Sequence, residues 1–168
     1  MTDITITQIY VDLDGVLVDF DKFAEEHVGI STKDWDSNKK LKGQFWGRVA
    51  RMGKEGKMFF GAMDPMADAF DLWSYVEKYD PIILSATGHH HNAENEKREW
   101  VRRHLGDRFA NTAIFVTSAS DKAQYASPTS VLIDDRAKAI HPWIDAGGIG
   151  VHHVSAEDSI DQLIGLGI

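Results

Sequence analysis

Four short apolar runs, each passing into hydroxyls or acids, punctuate this chain: "IYVDLDGV", "PIILSAT", "TAIFVTS" and "SVLIDD". Their β-branched residues and abrupt polar ends mark them as strands, and "IGVHHV" makes a fifth. Helical patterns lie between them. Apolar strands alternating with helices require a parallel sheet covered on both faces. The expected fold class is therefore α/β, a doubly wound, Rossmann-like parallel sheet. Ligands of such sheets bind at the carboxyl ends of the strands, near the point where strand order switches. Asp12 and Asp14, Ser85 and Thr87, Thr117 and Ser118, and Asp134 and Asp135 all fall at those ends. Four strands would thus deliver polar groups to one edge.

Between the first strand and the next helix, residues 21–63 break this rhythm. The stretch is polar, flecked with aromatics, and carries Gly43, Gly47, Gly53, Gly56 and Gly61. "KKLKGQFWGRVARM" suits one or two short helices, but its periodicity is weak, which marks an appendage to the main core. A small helical cap over residues 21–63 is expected, with residues 1–20 and 64–168 forming the core. Pro65 should stand near the start of a helix with an apolar stripe at Ala69, Leu72, Trp73 and Val76. Gly106 should stop the charged helix "NAENEKREWVRRHL". Pro142 should kink the helix between the last two strands, and Ser155 should cap the final one.

A chain of 168 residues fits one domain with a modest insertion. It has no cysteine, which excludes disulfides and thiolate metal sites. The formal net charge of -8 argues against wide capture of a nucleic-acid backbone, while leaving room for a small phosphorylated ligand in a basic pocket. No apolar run is long enough to span a bilayer, and the N-terminus lacks the basic and apolar regions of a secretory signal. A cytoplasmic monomer or homodimer with no membrane partner is expected.

Acids gathered in one crevice repel one another unless a cation joins them. Carboxylate oxygens without thiolates suit Mg²⁺, which keeps waters and accepts substrate phosphate oxygens. A carboxylate can also attack phosphorus and form an aspartyl phosphate. Lys122, just ahead of the fourth strand, could neutralise phosphate oxygens. Ser85 could donate to the phosphoryl group, aided by the backbone N–H groups of Ala86 and Thr87.

Taken in order, "DLDGV", "ILSAT", "DK" and "VLIDD" resemble the four motifs of the haloacid dehalogenase-like phosphohydrolases. The resemblance implies that Asp12 is the nucleophile and Asp14 the general acid and base, with its backbone carbonyl on Mg²⁺. It likewise implies that Ser85 and Lys122 bind phosphate while Asp134 and Asp135 hold the metal, one directly and one through water. An acid at Asp14 points to phosphoryl transfer, because the leaving oxygen needs a proton. A finer resemblance is to the 5'(3')-deoxyribonucleotidases, in the running order of "DLDGVLVDF", "FFGAMDPMADA", "EKREWVRRHLG", "DK" and "LIDDR". It implies base stacking on Phe20, Phe45, Trp46 and Phe60, phosphate contact by Lys97, and a substrate-side place for Arg136. It makes the expected activity Mg²⁺-dependent hydrolysis of deoxynucleoside monophosphates. "SATGHHH" departs from that family, losing a hydroxyl at Ala86 and gaining His89, His90 and His91.

"LIDDRAKAIHPW" also resembles the phosphatase module of polynucleotide kinase-phosphatases, which implies an alternative action on 3'-phosphorylated nucleic-acid ends. A non-enzymatic alternative is a regulatory module that accepts phosphate on Asp12. Simpler roles stand beside the sharp ones. The four aromatics equally suit core packing, Lys97 lies in a charged helix where surface lysines are the rule, and three adjacent histidines suit a solvated loop or substrate rim better than a metal site.

Overall fold

The computed structural model describes residues 4–35 and 37–168; residues 1–3 of the expected core and residue 36 of the expected cap lie outside them. Five strands form one parallel sheet: β1 Gln8–Val11, β2 Ile82–Ala86, β3 Ile114–Val116, β4 Ser130–Asp134 and β5 Ile149–His152. Their order is β3-β2-β1-β4-β5, so the chain builds outward from β1 and then crosses to its other side. The switch point lies between β1 and β4, where Val11 pairs with Ile133. Both faces are covered, which is why the strands read as nearly continuous apolar runs. Ile83, Val131 and Ile133 point into the larger core, shared with α4 (Ala69–Val76), α5 (Ala93–Leu105), α6 (Asp107–Thr112) and α8 (Ala156–Gly165). Leu84 and Leu132 point the other way, onto Ile140 and Trp143 of α7 (Ala137–Asp145).

Among the described residues of 21–63 the main element is one long helix. Thr32–Trp35 forms a short helix, α2, after α1 (Phe20–His27), and α3 runs unbroken over Lys39–Lys54. The glycines in α3 cost helix propensity, yet Leu41, Phe45, Val49 and Met52 share a helical stripe that packs against the core. Asn38 caps it by accepting from the Leu41 N–H. Burial of that stripe outweighs local preference, and the weak periodicity understated it.

The segment leaves and rejoins the core side by side. The Asp19 N–H donates to the Asp64 carbonyl at 2.8 Å, and the Met66 N–H donates to the Leu17 carbonyl at 2.8 Å. Pro65 is spent here, bridged to Val18, so α4 starts later than its position suggested. The α6 helix was not foreseen, and Pro142 sits inside α7 without ending it. Ser155 caps α8 as expected, accepting from the Asp158 N–H at 3.1 Å. Among the described residues no helix is long and apolar enough to cross a membrane.

Candidate active site

Pairing with β4 continues one residue past β1: the Asp12 N–H donates to the Ile133 carbonyl at 3.0 Å. This fixes the Asp12 side chain beside Asp134, the last residue of β4. The chain then turns sharply at Gly15, whose φ is +82°. A Cβ at that position would lie 2.1 Å from Asp135 Oδ2, so only glycine lets the first loop pass this close to the second acid pair. The result is a cluster in which carboxylate oxygens of Asp12, Asp134 and Asp135 all lie within 4.8 Å of one another.

Lys122 enters this cluster from a 3₁₀ helix, Ala119–Tyr125. It is buried, and its Nζ donates to Asp12 Oδ1 at 2.9 Å and to Asp134 Oδ2 at 2.6 Å. Burial opposes its charge, but the two carboxylates prevail and raise its pKa. Ser118 does not reach the acids; it closes a capping box with Asp121 that starts this short helix and so sets where Lys122 points. Thr117 is exposed as well.

Asp135 has no such partner. Its Oδ1 is buried and, among the described residues, accepts no hydrogen bond. Burial, reinforced by the charges of Asp12 and Asp134, pushes its carboxyl up to about 8. Asp134 is pushed up to about 6 by burial and Asp12, against the pull of Lys122. An unpartnered buried oxygen within a set of hard oxygen donors suits a hard dication, and the donor set fits Mg²⁺.

Asp14 lies in a separate charge environment. Lys97 Nζ donates to Asp14 Oδ2 at 2.7 Å, to Ser85 Oγ at 3.1 Å and to the Ala86 carbonyl at 2.8 Å. All three ammonium protons are therefore used. The surface position expected of a lysine in a charged helix is wrong: Lys97 is 2% exposed. Ala93, Lys97, Trp100 and Val101 are the buried residues of α5, and their helical spacing was the available signal. The Thr87 N–H is also unavailable to a ligand, since it donates to the Val116 carbonyl at 2.8 Å. Ala86 meets the site through its carbonyl.

The aromatics divide. Phe45 has no exposed surface and packs against Trp35 and Trp46, so it offers no face to a ligand in this conformation. Phe60 is buried too, with Lys97 Nζ 5.1 Å from its ring centre. Phe20 and Trp46 are half-buried. Arg136 extends into solvent, while its backbone N–H donates to Asp134 Oδ1 at 2.9 Å. Sequence reasoning passed over Glu96, whose Oε1 accepts from the N–H groups of Phe59 at 2.8 Å and Gly61 at 3.2 Å. It also left unassigned the contact of His90 with Trp46, whose rings stack at 4.0 Å.

No protein-family model matches the chain, and no curated protein matches it in sequence. Solved structures do match in shape. A haloacid dehalogenase-like family hydrolase from Xanthomonas campestris superposes with a TM-score of 0.61 at 12% identity, covering 96% of this chain and 92% of that one. A HAD-superfamily hydrolase from Ehrlichia chaffeensis gives 0.56 at 12% identity, over 98% of both chains. A haloacid dehalogenase-like family hydrolase from Streptococcus pneumoniae gives 0.54 at 12% identity, over 93% of this chain and 90% of that one. The fold is that of the haloacid dehalogenase-like hydrolases. On this haloacid dehalogenase-like sheet, Asp12 and Asp14 follow β1, Ser85 lies on β2, and Asp134 with Asp135 closes β4. The two lysines divide the acids between them, Lys122 on Asp12 and Asp134, Lys97 on Asp14.

Proposed function

We propose that this protein is a Mg²⁺-dependent phosphomonoester hydrolase that acts through an aspartyl phosphate on Asp12, with deoxynucleoside monophosphates as its preferred substrates. The observation that carries the proposal is the division of Asp12 and Asp14 between two buried lysines. Two carboxylates two residues apart in separate charge environments suit two roles, attack and proton transfer. The nucleotide preference rests on the resemblance to deoxyribonucleotidases and on the half-buried rings of Phe20 and Trp46, whose centres lie 6.2 Å apart.

Lys122 engages Asp12 Oδ1, which leaves Oδ2 to attack phosphorus. The phosphorus–oxygen bond to the leaving group breaks as the Asp12–phosphorus bond forms, and Asp14 gives its proton to the departing alkoxide. Water then attacks the aspartyl phosphate; Asp14 takes the proton, and Asp12 leaves as a free carboxylate. Asp12, Asp134 and Asp135 would hold Mg²⁺, with the Asp14 carbonyl as a further ligand. Bound there, the ion supplies the positive charge that these carboxylates and a phosphoryl group both require. Ser85 and the two lysines line the phosphate side. Residues 21–63 serve as a cap that limits water at the phosphorus and contributes specificity.

Phosphate release from a panel, with and without Mg²⁺, tests this. The panel holds 5'- and 3'-deoxynucleotides, ribonucleotides, sugar phosphates, phosphoserine and a 3'-phosphorylated oligonucleotide. Preferential release from deoxynucleoside monophosphates, only with Mg²⁺, is expected. Release from the oligonucleotide alone would replace the proposal with end-repair chemistry. Asp12→Asn should abolish turnover with an unchanged circular dichroism spectrum; full activity in that variant removes Asp12 as the nucleophile.

A further inference from the structure

The loop between β2 and α5 runs over the edge of the site, bounded by two residues in the left-handed region, Gly88 (φ +62°) and Asn92 (φ +64°). At its middle, His90 lays its imidazole on the Trp46 indole, with ring centres 4.0 Å apart and planes 25° from parallel. Trp46 belongs to α3, so this contact joins the inserted segment to the core. Phe60 lies 6.2 Å from the imidazole and 5.1 Å from Lys97 Nζ, which places His90 one ring away from the ammonium that holds Asp14. Among the described residues, no hydrogen bond holds the His90 ring. Stacking alone keeps it in place, and stacking is exchangeable. Burial, with His89 and Lys97 nearby, lowers its pKa, so near neutral pH the ring stacks uncharged.

We propose that His90 determines specificity by occupying the Trp46 ring until a planar ring of the substrate's leaving group, a nucleobase, replaces it there. The inference rests on the phosphohydrolase function proposed above and deepens it. A phosphomonoester without a planar ring cannot make the exchange, so it gains nothing from Trp46. His90 is then a built-in competitor for the Trp46 ring that weakens nucleotide binding and leaves such substrates untouched.

The ring current of Trp46 should move the imidazole proton signals of His90 upfield, and their loss in His90→Ala assigns them. In the Asp12→Asn protein, a deoxynucleoside monophosphate should return them to ordinary positions, whereas inorganic phosphate should not. In the otherwise native enzyme, His90→Ala should lower KM for the deoxynucleotide relative to that for glycerol phosphate by about two- to tenfold. In a Trp46→Leu background the same change should leave that ratio unaltered. A His90 signal that stays upfield with nucleotide bound, while the enzyme still turns nucleotide over, overturns the role of His90 and leaves the phosphohydrolase standing. Phosphate release from no substrate removes the phosphohydrolase itself, and release only from substrates without a ring removes the nucleotide preference; the role of His90 falls with either.

Discussion

A methyl group at Gly15 has nowhere to go, because φ is +82° and the added carbon would meet the Asp135 carboxylate. Gly15→Ala should lower stability by about 1–3 kcal/mol and abolish the rise in melting temperature expected from Mg²⁺ in the native protein. Thermal melts with and without the ion check both effects. Asp135 itself makes stability depend on pH. Its folded pKa, about 8, stands above the ordinary aspartate value. Between those two values the folded protein binds a proton that the unfolded chain has released, so metal-free stability falls as pH rises through that window. Asp134, raised to about 6, acts in the same direction. Mg²⁺ held as proposed would engage the ionised carboxylates, so its stabilising effect should grow from acidic to mildly alkaline pH. An ion effect that is flat across that range would take Asp135 out of the metal site.

Among the elements, α5 does two things with one face. Lys97 reaches the acids, while Glu96, Trp100 and Arg103 hold the segment that returns from the insert. Trp100 Nε1 donates to the Met63 carbonyl at 2.8 Å, and Arg103 donates to the Gly61 carbonyl. Glu96→Ala strips two backbone N–H groups of their acceptor and should cost about 1–3 kcal/mol in chemical denaturation. Glu96→Gln keeps an oxygen in place and should cost less. The strands were legible because β-branched runs ending in acids and hydroxyls have few other uses in a soluble fold, and the edge they share followed from their being parallel. Lys97 was hidden by its company: "EKREWVRRHL" is so charged that a buried ammonium shows only in its spacing from Ala93, Trp100 and Val101. His90 was legible only as part of a loop or substrate rim; its stack on Trp46 was not, since that depends on left-handed turns at Gly88 and Asn92 and on a partner in a distant helix. The full length of α3 escaped for a related reason, in that tertiary burial decided what its glycines obscured.

Across the whole molecule, charge and topology act on different parts of the chemistry. A formal net charge of -8 would repel the proposed anionic substrate at long range, although the two buried lysines would receive it at the site. Added salt screens the distant charges more than the buried ones. The kcat/KM for a phosphomonoester should therefore rise modestly as salt is added from low ionic strength, and steady-state assays at fixed Mg²⁺ would show it. A fall would mean that local attraction governs encounter. Topology matters where Asp19 and Asp64 meet. Because the chain leaves the sheet and returns to it through one hydrogen-bonded gate, what lies beyond that gate is an insertion whose two ends stay together whatever its length. Loop closure depends only on the logarithm of loop length. A lineage could lengthen, shorten or exchange residues 21–63, and with them the choice of substrate, while the five strands and their acids stayed where they are.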